Sequence, residues 1–185
     1  MSKERFRPLE PEQMTPDQKR VAHNITSGPR GGMRGPFKAL LRSPELADRV
    51  QRVGEYVRFH STIPARLNEI AILVTARKWT AAFEWYAHRQ LAMKAGVDPA
   101  IADAIAEGRR PERLKDDEAA VYDFAHALVH TGSVSDEAFA RVVELFGEQG
   151  VIDLIGAVGY YSLVSFVLNV DQVALPEDAK PLKPL

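Results

Sequence analysis

The most informative segment of the chain is residues 67–88, which read LNEIAILVTARKWTAAFEWYAH. Its apolar residues recur at helical spacing, and three groups that can carry a charge, Glu69, Glu84 and His88, lie among them. Glu84 and His88 are four residues apart, so on one helix their side chains share a face. Glu69 would come from the preceding helix. The segment therefore predicts two core helices whose three protonatable groups meet in a mostly dry pocket.

Two simpler interpretations compete with a shared site. Glu84 and His88 could form an i, i+4 polar pair on a solvated helix face, because such pairs are common. Glu69 could be the buried ion-pair partner of Arg66 or Lys78, since structural ion pairs resemble functional clusters. The apolar residues around the three groups favour burial and hence a functional site.

Helix start and stop signals extend this pattern along the chain. A capping residue followed by proline marks a helix start at Thr15-Pro16, Ser43-Pro44 and Asp98-Pro99. We interpret the segment 61–64 and Thr80 as two further starts. The predicted helices cover residues 16–28, 44–60, 64–79, 80–96, 99–108, 115–130, 135–146 and 151–170. Alternating strand patterns are nearly absent, so we predict an all-α fold.

Length and composition fit one soluble globular domain, with 185 residues of which 45% are hydrophobic and 26% are charged. We place this domain at residues 15–176, between an extended N-terminal arm (1–14) and a C-terminal tail (177–185). The formal net charge of -1 favours neither nucleic acid nor an anionic membrane as a partner. The first residues lack the apolar core of a secretory signal, so we expect a cytoplasmic protein.

Residues 151–170 are apolar enough to be considered as a membrane span. Small and polar residues interrupt this run, namely Asp153, Gly156, Gly159, Ser162, Ser165 and Asn169. We therefore predict a core helix and no membrane partner. A helix that is apolar on almost every side is buried at the centre of its domain or by another subunit, which predicts a homo-oligomer.

The motif around the three groups resembles a known family. Glu69, the Phe-Glu-Trp run at 83–85, His88 and the Ala-Met-Lys-Ala-Gly run at 92–96 are similar to the core motif of the carboxymuconolactone decarboxylase and alkylhydroperoxidase (AhpD-like) superfamily. The similarity extends over most of residues 30–176 and is closest to the decarboxylase-like branch. The resemblance implies an all-α helical bundle that assembles into trimers or hexamers.

The redox branch of this superfamily works through a CxxC pair, whose two positions correspond to Ala81 and Glu84 in this chain. The sequence contains no cysteine, which excludes thiol-based peroxide reduction by this protein alone. Glu69 and His88 match the proton relay of that branch. The resemblance therefore implies that this chain keeps the acid/base residues of the site and lacks the thiol pair.

The decarboxylase-like branch implies a cofactor-free lyase that acts on a lactone or another small cyclic carboxylate. The conjugated carbonyl of such a substrate accepts the electrons that carbon dioxide leaves behind, so the site needs a dry pocket, an oxyanion donor and an acid. We assign His88 as the acid, Glu84 as the partner that holds and charge-balances it, and Glu69 as the relay of protons from outside. Burial would raise the pKa of such a glutamate toward neutrality. A neighbouring carboxyl and imidazole could then share a proton near working pH.

Four further residues are candidates for substrate binding. Arg66 or Arg77 could grip a substrate carboxylate. Trp85 could contribute an apolar wall next to Glu84, although such residues more often serve packing. His60, at a helix end, could line the pocket or satisfy the last carbonyl groups of its helix.

Other features of the sequence leave alternatives open. His126 and His130 are four residues apart but lack a third ligand at a recognisable spacing, so we predict no metal site. The loop at 28–36 has no nucleotide-binding glycine pattern, and with Arg30 and Arg34 it could be a flap over the site or an ordinary connection. A non-catalytic, ligand-binding oligomeric scaffold is the alternative to an enzyme.

Overall fold

All regular secondary structure in the described part of the chain is helical, as the sequence predicted. A computed structural model describes residues 4–29, 31–177, 179–180 and 182–184, so residues 1–3 of the predicted arm and residues 178, 181 and 185 of the predicted tail lie outside the described residues. The described residues form eight α-helices and no strand. The helices are α1 (Pro16–Ser27), α2 (Phe37–Leu40), α3 (Pro44–Phe59), α4 (Ala65–Lys78), α5 (Ala82–Lys94), α6 (Pro99–Ala106), α7 (Asp116–Thr131) and α8 (Asp136–Asp171).

Side-chain caps act at three of the predicted starts, one of which is Ser135, whose hydroxyl accepts a hydrogen bond from the Ala138 N–H at the start of α8. The Thr15 hydroxyl accepts a hydrogen bond from the Gln18 N–H, and the Gln18 side chain accepts one from the Thr15 N–H, which completes a capping box. Asp98 accepts a hydrogen bond from the Ala100 N–H at the start of α6. These bonds satisfy N–H groups that the first turn of a helix leaves without partners.

Three other predicted starts lack the expected cap. Ser43 is the N-cap of α3 but makes no side-chain cap bond. Pro64 is the N-cap of α4 and makes no side-chain cap bond. The hydroxyls of Ser61 and Thr62 donate to the Asp153 carboxylate on α8 instead, so a tertiary contact replaces the local cap. Ala81 is the N-cap of α5, while Thr80 lies in the preceding turn with a φ of 45°.

The predicted helices at 135–146 and 151–170 are the two parts of α8. They meet at Gly147, whose φ of 69° and ψ of 177° interrupt the helix with a kink. Glycine adopts a positive φ without the strain that a Cβ would cause. The kink brings Phe146 so close to Gly150 that an added Cβ at Gly150 would lie 2.3 Å from the Phe146 Cβ.

Helix α4 lies at the centre of the fold and packs against α5, α7 and α8. Nearly all of its side chains between Leu67 and Arg77 are buried. One apolar cluster surrounds α4 together with α6 and α7, and a second cluster fills the space between α1, α3 and α8. The residues of 67–88 therefore supply the centre of the core, as their apolar content predicted.

Helix α8 is the helix in the described part of the chain that is long and apolar enough to cross a membrane. The core helix of a soluble protein passes the same test, and 56% of the apolar window of α8 is buried inside the fold. Five exposed apolar side chains nevertheless lie along one face of it, and we name this set the α8 stripe. Its members are Ile152, Ile155, Leu163, Phe166 and Val170.

The described parts of the arm and of the tail pack on the helical domain. The N–H groups of Arg5 and Phe6 donate to the backbone carbonyl and the carboxylate of Asp171, at distances of 2.8 and 2.7 Å. In the tail, the Leu182 side chain is buried and the Lys183 carbonyl accepts a hydrogen bond of 2.7 Å from the Arg77 guanidinium. Arg5 and Phe6 are thus held on α8, and Lys183 is held on α4.

Candidate active site

The structure brings Glu69, Glu84 and His88 together. The Nδ1 atom of His88 lies 2.8 Å from Glu69 Oε2, and its Nε2 atom lies 3.0 Å from Glu84 Oε1. Glu69 projects from α4, whereas the other two residues lie one turn apart on α5. The side chains of His88 and Glu84 are each 6% exposed, and that of Glu69 is 12% exposed. The imidazole is therefore held between two carboxylates in a largely dry setting.

This setting raises the pKa of His88 to about 9. Burial of the ring by itself lowers the pKa, because a charged imidazolium loses hydration. The negative charge of Glu84 and the hydrogen bonds to Glu69 and Glu84 outweigh that effect. His88 consequently carries its proton at neutral pH, with a carboxylate oxygen within 3.0 Å of each ring nitrogen, which makes it a candidate acid.

Tyr161 of α8 completes the inner wall of the site. Its ring meets the His88 ring edge to face, with the centroids 4.8 Å apart and the planes at 77°. Its hydroxyl is buried and has no hydrogen-bond partner among the residues that the structure describes. Burial, together with the charge of Glu84, raises the pKa of Tyr161 well above its ordinary value, so the phenol is neutral.

A cavity of about 420 Å³ opens beside His88 and Glu84. Its walls come from α5, from α8 and from the segment between α1 and α2. The lining residues are Gly32, Arg34, Gly35, Pro36, Phe37, Arg58, Phe83, Glu84, Tyr86, Ala87, His88, Gln90, Leu91, Lys94, Tyr160, Tyr161, Val164 and Pro176. Its volume is in the range of small-molecule sites.

Three cations line this cavity, namely Arg34, Arg58 and Lys94. Within the described ranges, none of them forms an ion pair with a carboxylate, although most of the other arginines do. The Arg58 guanidinium lies over the Phe59 ring, 5.0 Å from its centroid. A cationic wall without its own counter-ions suits an anionic ligand.

The two arginines that the sequence suggested for substrate binding lie elsewhere. Arg66 forms ion pairs with Glu118 and, at 2.6 Å, with Asp117, both on α7. The Arg77 side chain is directed to the Lys183 carbonyl of the tail. Neither residue lines the cavity beside His88, so Arg34 and Arg58 are the arginines in position to meet a substrate there.

Trp85 and His60 also lie outside the lining of this cavity. Trp85 is buried and faces a second cavity of about 750 Å³, which it lines together with Arg89 and residues of the C-terminal tail. His60 is exposed and is the C-cap of α3, where its N–H donates to the Tyr56 carbonyl. Its position fits the helix-end interpretation.

The second histidine pair forms a stack on α7. The rings of His126 and His130 have centroids 4.1 Å apart, and His126 also stacks on Tyr122. Burial and the neighbouring His130 lower the pKa of His126. In the part of the chain that the structure describes, no group of three or more histidine, aspartate or glutamate residues is placed to hold a metal ion.

The loop at 28–36 contributes directly to the site. Arg34, Gly35 and Pro36 line the cavity beside His88, while Arg30 lies outside the described residues. Gly35 has a φ of 60°, a conformation that glycine adopts most easily. The loop therefore forms part of the cavity wall.

The sequence reasoning missed Tyr161, Arg58 and Lys94. Tyr161 lies in an apolar helix, where a tyrosine by itself indicates packing. Arg58 lies in the last turn of α3, where a basic residue is ordinary because it interacts favourably with the helix dipole. No local sequence pattern connects Tyr161 or Arg58 with His88.

Comparison with known proteins adds no assignment, because no family model matches the chain and no curated protein matches its sequence significantly.

Proposed function

We propose that the protein is a cytoplasmic, cofactor-free acid/base enzyme that acts on a small cyclic carboxylate or lactone, with an activity similar to carboxymuconolactone decarboxylase. The observation that carries this proposal is the protonated His88, held between Glu69 and Glu84 at the wall of a cavity. Such a cluster of buried titratable groups beside a pocket is typical of active sites. The sequence resemblance supplies the reaction class.

In the proposed reaction, the bond between a ring carbon and its carboxylate carbon breaks and carbon dioxide leaves. The electron pair of that bond moves into the conjugated lactone carbonyl and forms an enolate. His88 then donates its proton to carbon, which regenerates the carbonyl and gives a neutral lactone. The net change is the loss of carbon dioxide and the gain of one proton, so no oxidant or reductant is consumed.

The positions of the two carboxylates suggest a direction for proton movement. Glu84 and His88 line the cavity, whereas Glu69 is not among its lining residues. The proton would therefore pass to the substrate from the Nε2 side of the ring, next to Glu84. A second proton would then reach Nδ1 through Glu69. A general acid of this kind accelerates a reaction by roughly 100- to 10,000-fold.

The charge of the cavity wall supports an anionic substrate. Arg34, Arg58 and Lys94 line the cavity next to the imidazolium, which already has two carboxylate neighbours of its own, Glu69 and Glu84. These cations would provide the counter-charge for a substrate carboxylate, because no carboxylate among the described residues forms an ion pair with them. Guanidinium groups also bind carboxylates through two parallel hydrogen bonds.

A non-catalytic, ligand-binding scaffold is the second candidate. Both ring nitrogens of His88 already have carboxylate partners, an arrangement that also fits a buried polar network with a structural role. In this case the cavity would bind an anion without changing it. The two candidates differ in turnover, which is directly measurable.

We also propose that the chain forms a homo-oligomer, a trimer or hexamer, through the α8 stripe. Ile152 is 65% exposed and Val170 is 53% exposed, and the whole stripe lies on one helix face. A contiguous apolar face of this kind on a water-soluble chain is typical of a subunit contact. The family resemblance implies the same assembly.

The test is a screen of lactone acids and cyclic oxo acids for release of carbon dioxide, with the wild type and two variants. His88→Ala should reduce the rate at least 100-fold, because it removes the acid. His126→Ala is the matched control, since this imidazole lies on α7 away from the cavity, and it should retain activity. Equal turnover by His88→Ala and the wild type would show that His88 is not the acid. Binding of these acids without turnover by the wild type would favour the scaffold.

A further inference from the structure

We infer that Tyr161 is a further catalytic residue, and that its hydroxyl donates a hydrogen bond to the substrate oxygen on which negative charge develops. This inference, which rests on the proposed function, adds an oxyanion donor to the acid supplied by His88. The chemical class of group recognised is an enolate or phenolate oxygen.

The first observation is that the Tyr161 hydroxyl is buried and unpaired. The residue is 2% exposed, and its hydroxyl has no hydrogen-bond partner among the described side chains and backbone groups. Most buried hydroxyl groups have a partner, because burial removes them from water and an unmade hydrogen bond costs free energy. A buried, unpaired hydroxyl on a residue that lines a cavity therefore suits a partner that arrives with the ligand.

The second observation is where the Tyr161 ring lies relative to the acid. Tyr161 lines the same cavity as Glu84 and His88, and its ring contacts the His88 ring at 4.8 Å between centroids. A substrate next to the imidazolium is therefore also next to Tyr161. The oxygen that receives electrons and the carbon that receives a proton belong to one small conjugated system, which needs a donor and an acid side by side.

The third observation concerns the protonation state of the phenol. Burial raises the pKa of Tyr161 well above its ordinary value, and the charge of Glu84 acts in the same direction. The phenol therefore remains a donor at any working pH. Arg58, which also lines the cavity, opposes this effect but does not cancel it.

These groups have complementary parts in the proposed step. When the bond to the departing carboxylate breaks, its electron pair reaches the carbonyl oxygen, which accepts the hydrogen bond from Tyr161. The phenol keeps its proton, and His88 delivers a proton to carbon. Donors fixed in a dry site stabilise such charge more strongly than water does, because they need no reorganisation.

The test uses Tyr161→Phe, with 4-nitrophenolate as a coloured oxyanion probe, and titration of its absorbance spectrum. Tyr161→Phe should bind the probe at least tenfold more weakly than the wild type. Tyr122→Phe is the matched control, since this buried tyrosine stacks on His126 outside the cavity, and its affinity should stay within twofold of the wild type. Equal affinity in Tyr161→Phe, or no binding of the probe by the wild type, would overturn the inference.

Thermal unfolding separates a catalytic hydroxyl from a structural one. Tyr161→Phe removes an unpaired buried group, so its melting temperature should equal or exceed that of the wild type. A melting temperature several degrees lower would show that the hydroxyl stabilises the fold and would overturn the inference.

The probe also separates failure of this inference from failure of the proposed function. If no acid is decarboxylated but Tyr161→Phe still weakens probe binding tenfold, the oxyanion site stands and the decarboxylase activity does not. If the wild type and Tyr161→Phe release carbon dioxide at the same rate, the enzyme stands and the role of Tyr161 is refuted.

Discussion

Glu84 Oε1 lies 3.0 Å from His88 Nε2, and the two residues are one turn apart on α5. Because both side chains are buried, the charge of Glu84 acts on the imidazole with little screening. Replacing Glu84 by Gln removes this charge but keeps the size of the side chain. We expect Glu84→Gln to lower the pKa of His88 from about 9 toward its ordinary value of 6.5, as measured by NMR titration of the imidazole nitrogens.

Glu45→Gln serves as the control for this titration. Glu45 forms an i, i+4 ion pair with Arg49 on the solvated side of α3, where both side chains are more than 70% exposed. Its removal should leave the pKa of His88 unchanged. A pKa near 9 in Glu84→Gln would show that Glu69 alone holds the proton on His88.

The raised pKa of His88 also predicts how the stability of the protein depends on pH. The pKa is about 9 in the folded state and near 6.5 in the unfolded chain, so the folded state binds the proton more tightly. The resulting stabilisation, roughly 3 kcal/mol, is complete below pH 6.5 and is lost as the pH rises through 9. Urea unfolding between pH 6 and 9.5 should show this loss.

His88→Gln provides the comparison for the pH series, because it cannot gain or lose a proton in this range. Its stability should change less between pH 6 and 9.5 than that of the wild type. Parallel curves for the two proteins would contradict the assignment of the pKa shift to His88.

The sequence could predict the centre of the fold because the relevant signals are local. Helical periodicity placed α4 and α5, and the spacing of Glu84 and His88 put them on one face. The pairing of Arg66 with Glu118 could not be predicted, because residues of α4 and α7 that are distant in sequence meet only after packing.

The remaining differences have the same origin. Thr62 should cap a helix by local rules, yet it donates to Asp153 through both its N–H and its hydroxyl. The Asp153 carboxylate also accepts hydrogen bonds from Tyr56 and Ser61. Burial by itself raises the pKa of Asp153, but the bonds from Thr62, together with these two, lower it. A buried carboxylate with several donors outcompetes a single local cap. Tyr161 likewise reaches His88 only through the packing of α8 on α5.

Arg58 should bind the substrate carboxylate. We expect Arg58→Gln to raise KM at least tenfold for an acid identified in the carbon dioxide screen, because a charged hydrogen bond is worth about 1.5–3 kcal/mol. Arg52→Gln, on the same helix, should leave KM unchanged, since Arg52 pairs with Asp48 and does not line the cavity. Equal values of KM for the two variants would assign carboxylate binding to other cations.

Assembly through the α8 stripe predicts a separate outcome in solution. The wild type should sediment with the mass of three or six chains, and Ile152→Glu should sediment as a monomer, because it places a charge in an apolar contact. Phe139→Glu is the control, since Phe139 is a large exposed apolar residue outside the stripe, and it should leave the assembly intact. A monomeric wild type at tens of micromolar would contradict the proposed oligomer.

The kink in α8 makes Gly150 a position where only glycine fits. A Cβ there would lie 2.3 Å from the Cβ of Phe146, which cannot move without its own backbone. Gly150→Ala should therefore lower the free energy of unfolding by about 1–3 kcal/mol in urea titrations. Gly156→Ala, on the same helix, meets only Val57 Cγ2 at 3.9 Å and should raise it by about 0.5–1 kcal/mol, because alanine favours a helix more than glycine. Equal effects at the two positions would show that Phe146 and Gly150 are not in this close contact, and that α8 continues through Gly147 without the kink.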